Sequence, residues 1–230
     1  MSNWKNDINA ESELKTFIMK NFKHCEISDK IKTVQLTDNS NDDFNGIDMK
    51  ITNKNNEIFY VDIKAQLHYI NKALPTFAFE IDYYKDSKYK KGWLYGDKLT
   101  QIYFLVWPCA THENNNNVKV EDFTKLFCML ILRKDLVNYL EEIGMNFDTF
   151  CKEREIFIQM NTTEKHIREK SKGKSDGIKL VLTKKLSEKP LNVVIGTDIL
   201  EKIAFKKFVI TKEKTYCEEF SRFKSTLKPR

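Results

Sequence analysis

Asp48, Asp62 and Lys64 have the types and the spacing for metal-assisted chemistry on phosphates. They lie in the segment Phe44 to Gln66, FNGIDMKITNKNNEIFYVDIKAQ. Asp62 and Lys64 are two residues apart, so on a strand they share a face. Asp48 comes earlier, and the turn between can bring it opposite Asp62. Two converging carboxylates repel each other, and a divalent cation relieves that cost. Mg²⁺ typically takes about one or two protein carboxylates and completes its shell with water and phosphate oxygens. A lysine beside it can orient a nucleophilic water and stabilise charge that builds on the phosphate.

These residues need a hairpin to position them, and the pattern predicts one. Ile47, Met49 and Ile51 alternate with Asp48, Lys50 and Thr52. The polar run Asn53 to Glu57 supplies the turn. On the return strand Phe59, Val61, Ile63 and Ala65 face one way, and Tyr60, Asp62, Lys64 and Gln66 the other. Upstream, Leu14, Phe17, Ile18 and Phe22 form a stripe at helical spacing and predict a helix over about 9–22. Glu11 falls at the edge of that stripe and Glu13 well away from it. A pattern [DE]-x-K occurs four times, at Glu13, Asp48, Asp62 and Asp86. Only the third combines an apolar strand, a preceding hairpin and an upstream Gly-x-Asp. The bland alternative is a solvated hairpin with its charges on the wet face.

Asp48 followed by Asp62-Ile63-Lys64 resembles the PD-(D/E)XK nuclease superfamily, with Gly46-Ile47-Asp48 as its first motif and Gln66 as the glutamine that trails the lysine. The likeness runs from Glu11 to about Pro108. It implies an α/β fold with a central mixed sheet flanked by helices, restriction-endonuclease-like. It implies Mg²⁺-dependent hydrolysis of DNA, with Mn²⁺ as a substitute, leaving a 5′-phosphate. Asp48 and Asp62 would hold the metal, and Lys64 would position the water. Gln66 would orient the water or Lys64. Glu11 would complete the metal shell or hold a second ion, the alternative being an ordinary first-turn glutamate. One such site cuts one strand, so a homodimer is a further implication. The sequence departs from the family pattern in having no proline before Asp48 and Asp rather than Glu at 62.

Further along, TFAFEI at 76–81 and LTQIYFLVWP at 99–108 read as strands. Glu80 between Phe79 and Ile81 is a second-tier site candidate, because a carboxylate in an apolar strand is costly unless paired. Its alternative is the solvent face of an amphipathic strand. His68, next to the site, is another such candidate, with a structural hydrogen bonder as its alternative. Between the strands, Lys85, Lys88, Lys90 and Lys91 interleave with Tyr83, Tyr84, Tyr89, Trp93 and Tyr95. Lysines attract phosphates and aromatics can stack on bases, so this is the candidate nucleic-acid contact. The same aromatics could instead pack beneath the loop. Asp38, Asp42 and Asp43 form an acidic loop. KLFCMLIL at 125–132 reads as a buried strand and LVNYLEEIG at 136–144 as a short helix ending near Gly144. REIFIQM at 154–160 reads as a strand. The basic stretch after it, with Lys165, His166, Arg168, Lys170, Lys172 and Lys174, reads as a solvated loop or a second phosphate-tracking element. IKLVL, PLNVVI, a helix over 198–205 and KKFVIT complete the chain.

The totals agree with a folded α/β protein. Hydrophobic residues at 41% and aromatics at 12% argue against disorder. A length of 230 residues supports one sizeable core. The expected division is a nuclease-like core over 1–150 and a C-terminal α/β extension over 151–230 packed on it as one domain. The net charge of +6 favours a polyanionic partner. The 5 cysteines are scattered with no C-x-x-C, which argues against zinc ribbons and iron–sulfur clusters and for free thiols in a reducing cytoplasm. The N-terminus is polar, and no apolar run reaches membrane-spanning length, so no membrane partner is expected. Nucleotide-binding, hydrolase-elbow and HExxH signatures are absent from the sequence. The reading from another functional class is a non-catalytic nucleic-acid-binding protein, and a third is a nuclease acting on RNA.

Overall fold

The computed structural model describes residues 4–22, 29–37, 45–113 and 117–217. The acidic loop carrying Asp38, Asp42 and Asp43 lies outside the described residues. In chain order the elements are α1 (Trp4–Asn21), β1 (Ile31–Leu36), β2 (Met49–Asn53), β3 (Ile58–Ala65), a single 3₁₀ turn (Leu67–Tyr69), β4 (Thr76–Lys85), β5 (Lys88–Lys91), β6 (Ile102–Ala110) and β7 (Phe123–Leu132). There follow α2 (Arg133–Glu142), α3 (Phe147–Gln159), β8 (Glu164–Arg168), β9 (Ile178–Leu182), β10 (Leu191–Gly196), α4 (Thr197–Ile203), β11 (Lys206–Thr211) and β12 (Thr215–Cys217). The protein is α/β, with one mixed sheet and one antiparallel sheet.

The chain forms two compact units. The first takes residues 1–74, 99–132 and 204–230, and the second 75–98 and 133–203. Residues 151–230 therefore contribute to both: β11 and β12 to the first, β8, β9 and β10 to the second.

The first unit holds a seven-stranded sheet in the order β1-β2-β3-β6-β7-β11-β12. All pairs are antiparallel except β3 with β6, which run parallel. A parallel pair needs a long crossover, and residues 66–101 supply it. Strand alternation explains the core. Met49, Val61 and Ile102 align across the sheet, as do Ile63, Phe104 and Leu130, and then Val106, Cys128 and Phe208. All nine are buried in one cluster with Ala10, Leu14, Phe17 and Ile18 of α1. The expected helical stripe is thus the face α1 lays on the sheet. The β2–β3 turn forms as the sequence indicates. The Asn53 side chain accepts from the Asn55 and Glu57 backbone N–H groups at 2.9 and 3.0 Å, and Asn56 takes a left-handed φ of 64°.

The second unit holds an antiparallel sheet in the order β5-β4-β10-β9-β8. Phe79, Val193 and Leu180 align across it, as do Phe77, Ile195 and Ile178, and all six are buried.

Two expectations about secondary structure are corrected here. REIFIQM is not a strand but the second half of α3. Asn146 caps this helix by accepting from Thr149 N–H, and the buried residues Phe150, Arg154 and Phe157 fall at helical spacing. The alternation that suggested a strand came from Ile156 and Ile158, which are 40% and 45% exposed. The basic stretch after it is not all loop either. Glu164–Arg168 forms β8, which pairs with β9 at the sheet edge. Its charged, exposed side chains suit an edge that must not recruit another strand.

Candidate catalytic cluster

The β2–β3 hairpin and α1 together assemble the site. Asp48 stands immediately before β2, where its backbone N–H donates to the Val61 carbonyl at 2.8 Å. Continuing the register one step from the Met49–Val61 pair brings it opposite Asp62. The Asp48 carboxylate is held twice. Its Oδ2 accepts from the Ile63 backbone N–H at 2.6 Å, and its Oδ1 accepts from Lys15 Nζ at 2.7 Å.

Asp62 and Lys64 occupy the sheet face opposite the α1 core, as strand alternation requires. Asp62 aligns with Tyr103 of β6. Lys64 Nζ lies 3.0 Å from Asp62 Oδ2 and 5.5 Å from the centre of the Tyr103 ring. Asp62 Oδ2 is buried, and the Lys64 ammonium is the partner it meets there. Burial pushes the Asp62 pKa up. Lys64 pulls it back down, while the negative charges of Asp48 and Glu11 raise it further.

Glu11 enters the cluster through Lys15. Lys15 Nζ lies 2.7 Å from Glu11 Oε1, one helical turn away, as well as 2.7 Å from Asp48. Burial opposes the Lys15 charge, but the two carboxylates outweigh it and hold its pKa above the ordinary lysine range. Glu13 is turned elsewhere, with its carboxylate on the Val120 N–H at 3.0 Å and Lys119 Nζ at 3.2 Å. Glu11, the glutamate at the edge of the helical stripe, thus shares Lys15 with Asp48, and Glu13 does not.

The other expected residues are deployed differently. Gln66 exchanges two hydrogen bonds with the Leu74 backbone, donating from Nε2 at 3.1 Å and accepting at Oε1 at 2.8 Å. That clasp gives its amide a loop-anchoring job. His68 is exposed on the 3₁₀ turn. Glu80 belongs to the second unit. There it sits half-buried on the same β4 face as exposed Ala78, the amphipathic-strand alternative. Its charge acts on Lys98.

The lysine–aromatic segment is the β4–β5 hairpin. Asp86 and Ser87 both have positive φ, 53° and 61°, the two-residue turn that suits the twist of the strands. Lys85 pairs across from Lys88 and both are exposed. Lys90 is bound to Asp86 at 2.6 Å, Lys91 lies 5.0 Å over the Phe147 ring, and Lys98 lies 4.4 Å over Trp93. Tyr89 meets Tyr84 edge-on and carries the Arg154 guanidinium 3.9 Å above it. The aromatics therefore pack around the hairpin, and Lys85, Lys88 and Lys91 are its exposed lysines.

Sequence reasoning missed Lys15. The available signal was its position four residues after Glu11 on the same helix, which makes an ion pair natural. Among the described residues no three His, Cys, Asp or Glu side chains converge as a ready-made metal cage. Asp48 and Asp62 still suit a hard cation. They are oxygen donors, and a carboxylate with one bond per oxygen retains lone pairs for more. Asp62 in particular has a buried oxygen already drawn to a cation, the Lys64 ammonium. Among the described residues no helix is long and apolar enough to cross a membrane. Cys109, Cys128, Cys151 and Cys217 are free thiols. No protein-family model, no curated protein and no solved structure matches this chain.

Proposed function

We propose that the first unit is a restriction-endonuclease-like core and that its Asp48–Asp62–Lys64 cluster hydrolyses DNA phosphodiester bonds with a divalent cation. The observation that carries this reading is the state of Asp62. It is buried, its pKa is raised by burial and by neighbouring carboxylates against the pull of Lys64, and its buried Oδ2 has the Lys64 ammonium 3.0 Å away. Such a group is costly in a resting fold and becomes favourable beside a cation. Perturbed carboxylates next to a lysine are the arrangement expected of a working site. The topology supports the same reading: α1, then the hairpin that bears all three residues, then β3 laid parallel to β6.

In this reading Asp48 and Asp62 hold Mg²⁺, or Mn²⁺ in its stead, and Glu11 extends the negative shell. The cation would supply an activated water and charge neutralisation on the phosphate. Lys64 donates to the attacking water and to the non-bridging oxygens as charge builds on them. Asp62 holds the Lys64 ammonium in place through their ion pair. The water oxygen bonds to phosphorus and releases a proton to solvent, the P–O3′ bond breaks, and the departing 3′ oxygen takes a proton from solvent. A 5′-phosphate remains. A homodimer would bring two such one-strand sites to a duplex.

A specific observation favours a second reading. Lys15 and Lys64 already neutralise much of the carboxylate charge, so the cluster could be a structural tie in a protein that only binds nucleic acid. Supercoiled plasmid with Mg²⁺, Mn²⁺ or EDTA separates the two, with wild type beside Lys64→Ala and Asp62→Ala. The nuclease gives metal-dependent nicking or linearisation that both variants lose while DNA affinity stays. No cleavage of duplex, junction, single-stranded DNA or matched RNA would leave the binding protein standing. Cleavage of RNA alone would move the activity to that substrate.

A further inference from the structure

We propose that Lys15 is the resident counter-cation of the cluster, seated beside Asp48 where a divalent cation enters, so that the two compete for Asp48. The proposal rests on the reading of Asp48 and Asp62 as cation ligands.

The geometry of Lys15 differs from that of Lys64. Lys64 shares a strand with its partner Asp62. Lys15 reaches in from α1 and touches two carboxylates at once, Asp48 Oδ1 and Glu11 Oε1, each at 2.7 Å. The Lys15 and Asp48 side chains are 18% and 17% exposed, whereas Glu11 is 46% exposed. The ammonium therefore bridges an inner carboxylate and an outer one. Its flexible four-carbon stem lets it leave the inner oxygen while keeping the outer. Asp48 would not lose its orientation, because Oδ2 stays on the Ile63 N–H. A single oxygen, Oδ1, changes hands.

The exchange is electrostatically sensible. Two carboxylates near a buried third repel one another, and some positive charge must sit among them in the metal-free protein. Lys15 supplies it. A divalent cation supplies twice the charge, and its arrival would release the ammonium to the outer edge, beside Glu11. There it can meet a phosphate oxygen of the nucleic acid. Lys15 is thus a positioning residue for Asp48 in the metal-free protein.

The test is Mn²⁺ binding to the full chain, read from the loss of the free-ion electron paramagnetic resonance signal. Lys15→Met and Lys15→Gln should bind Mn²⁺ about tenfold more tightly than wild type, because the competing charge is gone. Lys15→Arg should bind as wild type does. Without metal, Lys15→Met should melt at a lower temperature than wild type, and Mn²⁺ should close the gap. Lys15→Gln keeps a hydrogen-bond donor toward Asp48 and serves if the methionine variant does not fold. Unchanged or weaker Mn²⁺ affinity in the neutral variants would overturn the proposal, even if the wild type cuts DNA. Tighter binding in both neutral variants with no cleavage of any nucleic acid would uphold it and sink the nuclease reading instead.

Discussion

Asp62 is the residue on which the site's energetics turn. Its folded pKa lies above its ordinary value, through burial first and then through Asp48 and Glu11 against the pull of Lys64. A raised carboxylate pKa means that the folded state binds more protons than the unfolded state between the two values. Stability from this group is therefore present below the unfolded pKa and is lost as pH rises through the folded one. Above its ordinary value the charged form of Asp62 opposes folding. Asp62→Asn should accordingly raise the melting temperature by about 2–4 °C at pH 7, an increment that shrinks as the pH falls toward 4, while abolishing cleavage. If the cluster is a structural tie, the same variant melts lower, and scanning calorimetry at two pH values distinguishes the cases. Much of this residue set could be read directly. A period of two fixes Asp62 and Lys64 on one face, and helical spacing brings Glu11 rather than Glu13 toward Asp48. Lys15 could not be read so easily. It looks like part of a chance Glu-x-Lys match, and only the fold reveals that this lysine of α1 reaches Asp48. The Gln66 side chain was equally opaque, since its partner is a backbone eight residues on.

The elements of the second unit show the opposite balance between sequence and structure. Helix α3 was misread because two exposed isoleucines around Phe157 imitate a strand, while the residue that anchors the helix is charged. Arg154 forms a buried ion pair with Asp82 of β4 and stacks on Tyr89 of β5. Burial alone would push Asp82 far up, and Arg154 pulls it back to about 6, so the pair is ionised at neutral pH. Removing one partner leaves the other buried and uncompensated. Arg154→Met should cost about 3–5 kcal/mol in a urea melt, and adding Asp82→Asn should recover part of that loss. The double variant should also lose the fall in stability that Asp82 contributes as pH rises from its ordinary value of 3.8 to about 6. The β4–β5 hairpin next to this pair was read correctly as lysine and aromatic in alternation, yet its aromatics turn out to be packing groups. Lys85 and Lys88, beside the turn, are among its exposed charges. If the hairpin touches DNA, Lys85→Glu/Lys88→Glu should weaken binding and lower the slope of log affinity against log salt by about 2. An unchanged slope would take the hairpin out of the interface.

The whole molecule cannot be cut where its composition changes. The chain passes between the two units at four points, after residues 74, 98, 132 and 203. The sequence gives no sign of these passages, because they fall within ordinary short connections and only long-range pairing shows which sheet a strand joins. β7 illustrates the dependence. It is buried almost throughout, and one of its two neighbours is β11, which arrives from the far end of the chain. Phe208 of β11 stacks on Phe22 at 5.2 Å and meets Phe104 at 5.5 Å, so the α1 core is itself closed by a residue near the C-terminus. In the second unit, β4 needs β10 as its neighbour and Asp82 needs Arg154. A fragment ending at residue 150 would lack all of these. It would expose the edge of β7, an apolar strand open to pairing with other chains, and would leave Asp82 buried without its guanidinium. That fragment should therefore fail to melt cooperatively, bind a hydrophobic dye and aggregate, whereas the full chain should melt as a folded protein. A cooperative transition in the fragment would mean that the first 150 residues hold a core of their own, and that the strands contributed by the rest of the chain are additions to it rather than part of its foundation.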